Sequence, residues 1–173
     1  MGHPNRAADD WIPEDEYDAI QSRVPIVCVD LLPLDAPAEA VGLIRRKTYE
    51  EQEGWCLIGG GVRKNEKLEA AIARHVRSSL GDRFHYELPS SQPLFVAEYF
   101  PDRSVGALQD PRKHAVALSY AAVSCGEAKA QGEALEFRWF RRHELKDISF
   151  GFGQGAVVEK LLARIDREAT TQG

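Results

Sequence analysis

The chain has 173 residues, 43% of them hydrophobic and 28% charged, which suits one compact domain with its own core. Lys and Arg number 22 against 27 Asp and Glu, giving a net charge of -5 and an isoelectric point near 5.6. This balance argues against a nucleic-acid partner and means that an anionic ligand needs positive charge gathered locally. No apolar run is long enough to span a bilayer, and the polar N-terminus shows no signal-peptide pattern. Cys28, Cys56 and Cys125 are odd in number and far apart, so neither a disulfide framework nor a zinc spacing is present, and free thiols in a reducing cytoplasm are expected.

In chain order, residues 1–10 read as a flexible polar tail, residues 11–168 as a single domain and residues 169–173 as a second flexible tail. Pro13 and the acidic Glu14, Asp15 and Glu16 open a short helix reaching about Ser22. Residues 24–34 and 41–47 are rich enough in Val, Ile and Leu for buried strands, and residues 55–58 form a short apolar run leading into Gly59, Gly60 and Gly61. A helix follows from near Asn65, with Asn65 as N-cap and Gly81 as its stop. Residues 93–100, 114–124 and 136–140 are further strands. The Gly-, Asp- and Pro-containing loop 102–113 is the expected lid or substrate-reading segment. A helix around 154–167 buries Val157, Val158, Leu161, Leu162 and Ile165. Strands interleaved with two substantial helices predict an α/β (α+β) fold, an α/β/α sandwich around a mixed β-sheet.

The second helix carries the most information. Leu68, Ala71, Ile72, Val76 and Leu80 form its apolar stripe, whereas positions 75, 78 and 79 share the opposite face by i, i+3, i+4 spacing. Three carboxylates on that face would converge on a hard divalent cation. This chain places His75, Ser78 and Ser79 there, and two neutral hydroxyls do not compensate the charge of such a cation. The stretch resembles a Nudix box, G-x5-E-x7-R-E-U-x-E-E-x-G-U with U apolar. Gly60, Glu66, Arg74 and Gly81 fall in register, and the three missing glutamates are His75, Ser78 and Ser79.

Within that superfamily the chain resembles the GDP-mannose mannosyl hydrolase subgroup. The similarity spans roughly residues 11–147, through the acidic helix, Val24-Pro25-Ile26-Val27-Cys28-Val29-Asp30, Gly42-Leu43-Ile44-Arg45-Arg46, the box and Phe137-Arg138-Trp139-Phe140. The resemblance implies a Nudix-type sandwich, displacement of a nucleoside diphosphate at a sugar carbon with Mg2+, and a homodimer in which the N-terminal segment takes part. Asp30 and Arg46 match a functional Asp and a phosphate-contacting Arg, and Glu133 stands at a loop metal ligand. The subgroup's remaining box glutamate, loop histidine and post-glycine arginine are replaced by Ser79, Ala134 and Gly61.

Two functional expectations follow. One is a hydrolase of a nucleoside diphosphate linked to another group, a nucleotide sugar among the candidates. In it Glu133, Glu136 and Asp30 supply catalytic carboxylates, Arg46, Gly59, Gly60 and His114 bind substrate, and Mg2+ or Mn2+ is held weakly at Glu133. The other is a catalytically impaired nucleotide-binding or regulatory module. In both, Arg74 pairs with Glu66 or with backbone carbonyls to hold the box loop, and the partner is a small nucleotide, with neither nucleic acid nor membrane. Trp11, Ile12, Tyr17 and Ile20 supply the apolar stripe for a homodimer.

Overall fold

The computed structural model describes residues 12–49 and 52–171. Chain order is α1 (Glu14–Gln21), β1 (Ile26–Leu34), β2 (Ala40–Lys47), β3 (Glu53–Cys56), β4 (Ile58–Gly61), α2 (Leu68–Leu80), β5 (Phe84–Glu87), β6 (Phe95–Phe100), β7 (Leu108–Gln109), β8 (Ala115–Gly126), β9 (Glu136–Arg141) and α3 (Gly155–Thr171). Two short 3-10 turns, Arg142–Asp147 and Gly151–Gly153, lead into α3.

The strands form one mixed sheet in the order β3-β2-β1-β8-β6-β7, with β4 paired to β1, β5 to β8 and β9 to β2. β1 runs parallel to β8 and antiparallel to β4. Strand β1 is apolar on both faces because it is covered on both. Cys28, Leu32 and Leu34 enter the core shared with α3, while Val29 and Leu31 enter the core shared with α2. The period-2 alternation of a strand produces this division. The apolar stripe read for α2 is buried through Ala71, Ile72, Val76 and Leu80, and that of α3 through Val157, Val158, Leu161 and Leu162. The predicted α/β/α sandwich is the observed fold.

Local differences have local causes. Helix α2 begins at Leu68 with Lys67 as N-cap, and Asn65 instead occupies the left-handed region at φ 62° inside the preceding turn. Asn tolerates that conformation because its short amide forms local hydrogen bonds. The apolar run at residues 55–58 is split between β3 and β4. Strands β5 and β7, of four and two residues, are too short for a periodic pattern to mark them. Helix α3 continues to Thr171, past the expected end near residue 167. The whole of the expected N-terminal tail, Trp11, Gln172 and Gly173 lie outside the described residues.

Candidate functional site

The pairing of β1 with β4 sets Asp30 opposite Gly59, Val29 opposite Gly60 and Cys28 opposite Gly61. These glycines are needed for close approach. A Cβ on Gly59 would strike the Val29 carbonyl and lie 2.5 Å from Asp30 Oδ1, and one on Gly60 would lie 2.6 Å from His75 Cε1. The turn leaving β4 is clamped by Glu66 and Arg74. Arg74 Nε and Nη2 donate to the Glu66 carboxylate at 2.7 and 2.8 Å, and Nη2 also donates to the Gly61 carbonyl at 2.9 Å. The Arg63 amide donates to Glu66 at 2.9 Å. The Arg74 hydrogen bonds hold the Glu66 carboxyl down at about 2. Gly81 ends α2 at φ 82°, where a Cβ would be strained. These box positions therefore form a scaffold of hydrogen bonds and turns.

A cavity of about 270 Å³ opens over the glycine turn. Arg46 from β2, Asp30 from β1, Glu133 from the loop before β9 and His75 from α2 line it. Arg112 and Lys113, which precede β8, and Tyr17 of α1 line it as well. Asp30 is 7% exposed, and burial pushes its carboxyl up to about 7, although the Arg46 guanidinium opposes that rise. Arg46 Nη2 lies 2.9 Å from Glu133 Oε2. Burial raises the Glu133 carboxyl as well, with Arg46 again opposing. Arg112 grips the buried Asp110 with two parallel hydrogen bonds of 2.9 and 2.8 Å. Lys113 Nζ donates to Tyr17 Oη at 3.2 Å.

Phe152 lies near both arginines, its ring centre 5.8 Å from the Arg46 guanidinium carbon and 5.1 Å from that of Arg112. Its backbone lies at φ 56°, ψ 15°, a left-handed conformation costing roughly 1–2 kcal/mol for a residue with a side chain. The Tyr99 hydroxyl, in a residue 4% exposed, also lines the cavity, beside the Gln154 side chain. Desolvation keeps it a protonated donor. The thiols of Cys28 and Cys56 reach the same cavity, and burial raises them to about 11 and about 12, which leaves them unreactive thiols.

The expected site residues divide. Asp30, Arg46, Gly59, Gly60 and Glu133 come together at the cavity. His114 and Glu136 are not among its lining residues. The His114 ring stacks on Phe100 with centroids 4.6 Å apart, while Ala115 and Ala117 of β8 line the cavity. Glu136 pairs with Arg45 at 3.1 Å, and Arg45 and Arg46 point to opposite sides of their strand. The missed contributors are Arg112, Lys113, Asp110, Tyr17, Phe152 and Tyr99. The composition of loop 102–113 flagged that segment without singling out its cationic end.

The three positions of α2 expected on one ligand face have separate surroundings. His75 Nε2 sits 3.1 Å from the Gly61 carbonyl, which makes it a donor and leaves that nitrogen no lone pair for a metal. Burial lowers its basicity. Ser78 is exposed and donates to the His75 carbonyl at 3.0 Å. Ser79 is wholly buried, its hydroxyl without a partner among the described residues. The divalent cation implied by the family resemblance therefore does not fit this donor set. Glu66 is committed to Arg74, Glu133 faces Arg46, and among the described residues no cluster of three His, Cys, Asp or Glu side chains is arranged to hold a metal ion.

A sandwich of this topology with the Glu66–Arg74 clamp beside a glycine turn defines a protein of the Nudix fold, and solved Nudix structures under 25% identical share that fold. Across residues 7–167 the chain matches, and belongs to, the family described as "Domain of unknown function (DUF4916)". Among solved structures it is similar to a candidate asymmetric diadenosine tetraphosphate (Ap4A) hydrolase from Jonesia denitrificans, at 31% identity and a TM-score of 0.74, covering 84% of this chain and 97% of that one. It is 37% identical over 93 residues to the low-salt glycan biosynthesis protein Agl8 of Haloferax volcanii, covering 54% of this chain and 56% of that protein. It is also 29% identical over 109 residues to an ADP-ribose pyrophosphatase of Methanocaldococcus jannaschii, covering 62% and 58% respectively. The alignments thus span less than two thirds of these two relatives.

Proposed function

We propose that the protein is a hydrolase of a nucleoside diphosphate joined to another group, with nucleotide sugars of the GDP-mannose type within its range. The observation that carries this reading is the buried Asp30 beside Gly59, facing the same cavity as Arg46 and with a carboxyl near 7. A group at that value exchanges a proton with water at neutral pH. Asp30 accepts the proton of an attacking water, Arg46 and Arg112 neutralise the diphosphate, and the Tyr99 hydroxyl donates to a bound oxygen. The named activities of the Jonesia and Methanocaldococcus relatives, both on nucleotides joined through phosphates, support this class. Any Mg2+ or Mn2+ binds weakly here, and no step depends on it. Among the described residues no helix is long and apolar enough to cross a membrane.

The altered face of His75, Ser78 and Ser79 favours a second reading, a binding module that holds such a ligand without cleaving it. The deciding experiment is incubation in 18O-labelled water with ADP-ribose, Ap4A and GDP-mannose, followed by mass analysis. Label in a phosphate product indicates P–O cleavage, and label in the sugar indicates attack at carbon. Turnover lost in Asp30→Asn supports the hydrolase. Ligands that bind but give no product at any pH between 5 and 9 would establish the binding module instead.

A further inference from the structure

The cavity gathers Arg46, Arg112 and Lys113, and the Phe152 ring lies 5.8 Å from the Arg46 guanidinium carbon and 5.1 Å from that of Arg112. Two of these cations are already paired, but in different ways. Asp110 is 4% exposed, and both its oxygens are engaged by Nε and Nη2 of Arg112, so that pair is fixed and the Nη1 of Arg112 remains for a ligand. Glu133 is different. Its side chain is 37% exposed against 21% for Arg46, it meets Arg46 at 2.9 Å, and it belongs to the loop between β8 and β9. A pair that keeps solvent access on its carboxylate side is open to exchange for a competing anion. Lys113 has a neutral phenol, Tyr17, as its hydrogen-bond partner and as the ring beneath its ammonium at 5.7 Å.

We propose that Glu133 is the resident counter-ion of Arg46, displaced when a ligand diphosphate binds, and that Arg46, Arg112 and Lys113 together hold that diphosphate without a divalent cation. Fixed side-chain charge thereby takes over the neutralisation that the carboxylates of a full box would assign to a metal. This rests on the reading that the cavity binds a diphosphate. It assigns Glu133 the opposite sign from a metal ligand. A carboxylate that held a cation for the substrate would favour binding, whereas one that occupies the arginine must compete with the ligand.

The test is calorimetric titration of the full-length protein with inorganic pyrophosphate, in EDTA and again in excess Mg2+, for the wild type, Glu133→Gln and Lys113→Gln. Circular dichroism checks that each variant folds. The expected result is binding in EDTA, tightened about tenfold by Glu133→Gln and weakened about tenfold by Lys113→Gln, one charge-assisted contact each. Binding seen only with Mg2+, or weakened by Glu133→Gln, would overturn the proposal while leaving the diphosphate site standing. No binding in either buffer would remove the diphosphate reading itself and the proposal with it.

Discussion

Asp30 concentrates the pH behaviour of this protein in one side chain. Its folded value, about 7, lies above the ordinary 3.8, so between about pH 4 and pH 7 the folded chain keeps a proton that the unfolded chain has released. Its stabilisation is complete below pH 4 and is lost as pH rises through 7. At roughly 1.4 kcal/mol per unit the loss is at most about 4 kcal/mol. Asp30→Asn, which cannot ionise, is therefore expected to match the wild type in urea melts at pH 4 and to be the more stable of the two at pH 8. The hydrolase reading adds a rate signature, a kcat/KM that rises with pH to a plateau with an apparent pKa near 7. Arg46 provides a second measurement. Lys reproduces its charge but not its paired donors, so Arg46→Lys is expected to weaken binding of ADP-ribose or pyrophosphate by about 1–3 kcal/mol in calorimetry, with little change in Tm.

Helix α2 shows what a sequence conveys and where it stops. Gly60, Glu66, Arg74 and Gly81 were legible because turns, clamps and stops are local chemistry, written within a few residues of where they act. The apolar stripe was legible for the same reason. The equivalence of positions 75, 78 and 79 was also read from helical period, and it fails because burial is decided elsewhere. The Lys129 and Gln131 amides donate at 2.9 Å to the carbonyls of Leu80 and Ser79, so the loop before β9 closes over Ser79 and leaves Ser78 outside. Arg112 and Lys113 escaped notice because no spacing marks a cation that reaches a site from a loop. Ser79 supplies the test at this scale. Its hydroxyl is desolvated without compensation, so Ser79→Ala is expected to leave stability unchanged or raise it by up to about 1 kcal/mol, read from the urea midpoint. A glutamate at that position would bury a charge.

The whole molecule leaves α1 with no buried residue of its own, and Ile12, Tyr17 and Ile20 are half-buried at best. A homodimer in which a second copy covers this stripe would bury these apolar side chains. Light scattering at micromolar concentration is expected to give a dimer mass, and deletion of residues 1–22 to give a monomer. A monomer in both cases would remove the dimer. Because Tyr17 also meets Lys113, the deletion is expected to alter ligand affinity along with assembly.

The parallel pairing of β1 with β8 has a consequence for how this chain comes into being. Ile26 lies against Ala115 only after six strands and a helix have intervened. Parallel pairing over such a separation is slow, because the intervening loop must close before any contact rewards it. During synthesis β1 leaves the ribosome long before its principal neighbour exists, and its apolar edge stays open to other chains until β8 arrives. Asp30 on one strand and Lys113 at the threshold of the other meet at that same moment. The step that closes the vulnerable edge is thus the step that first brings Asp30 and Lys113 to one place, so protection from aggregation and assembly of the candidate site begin together.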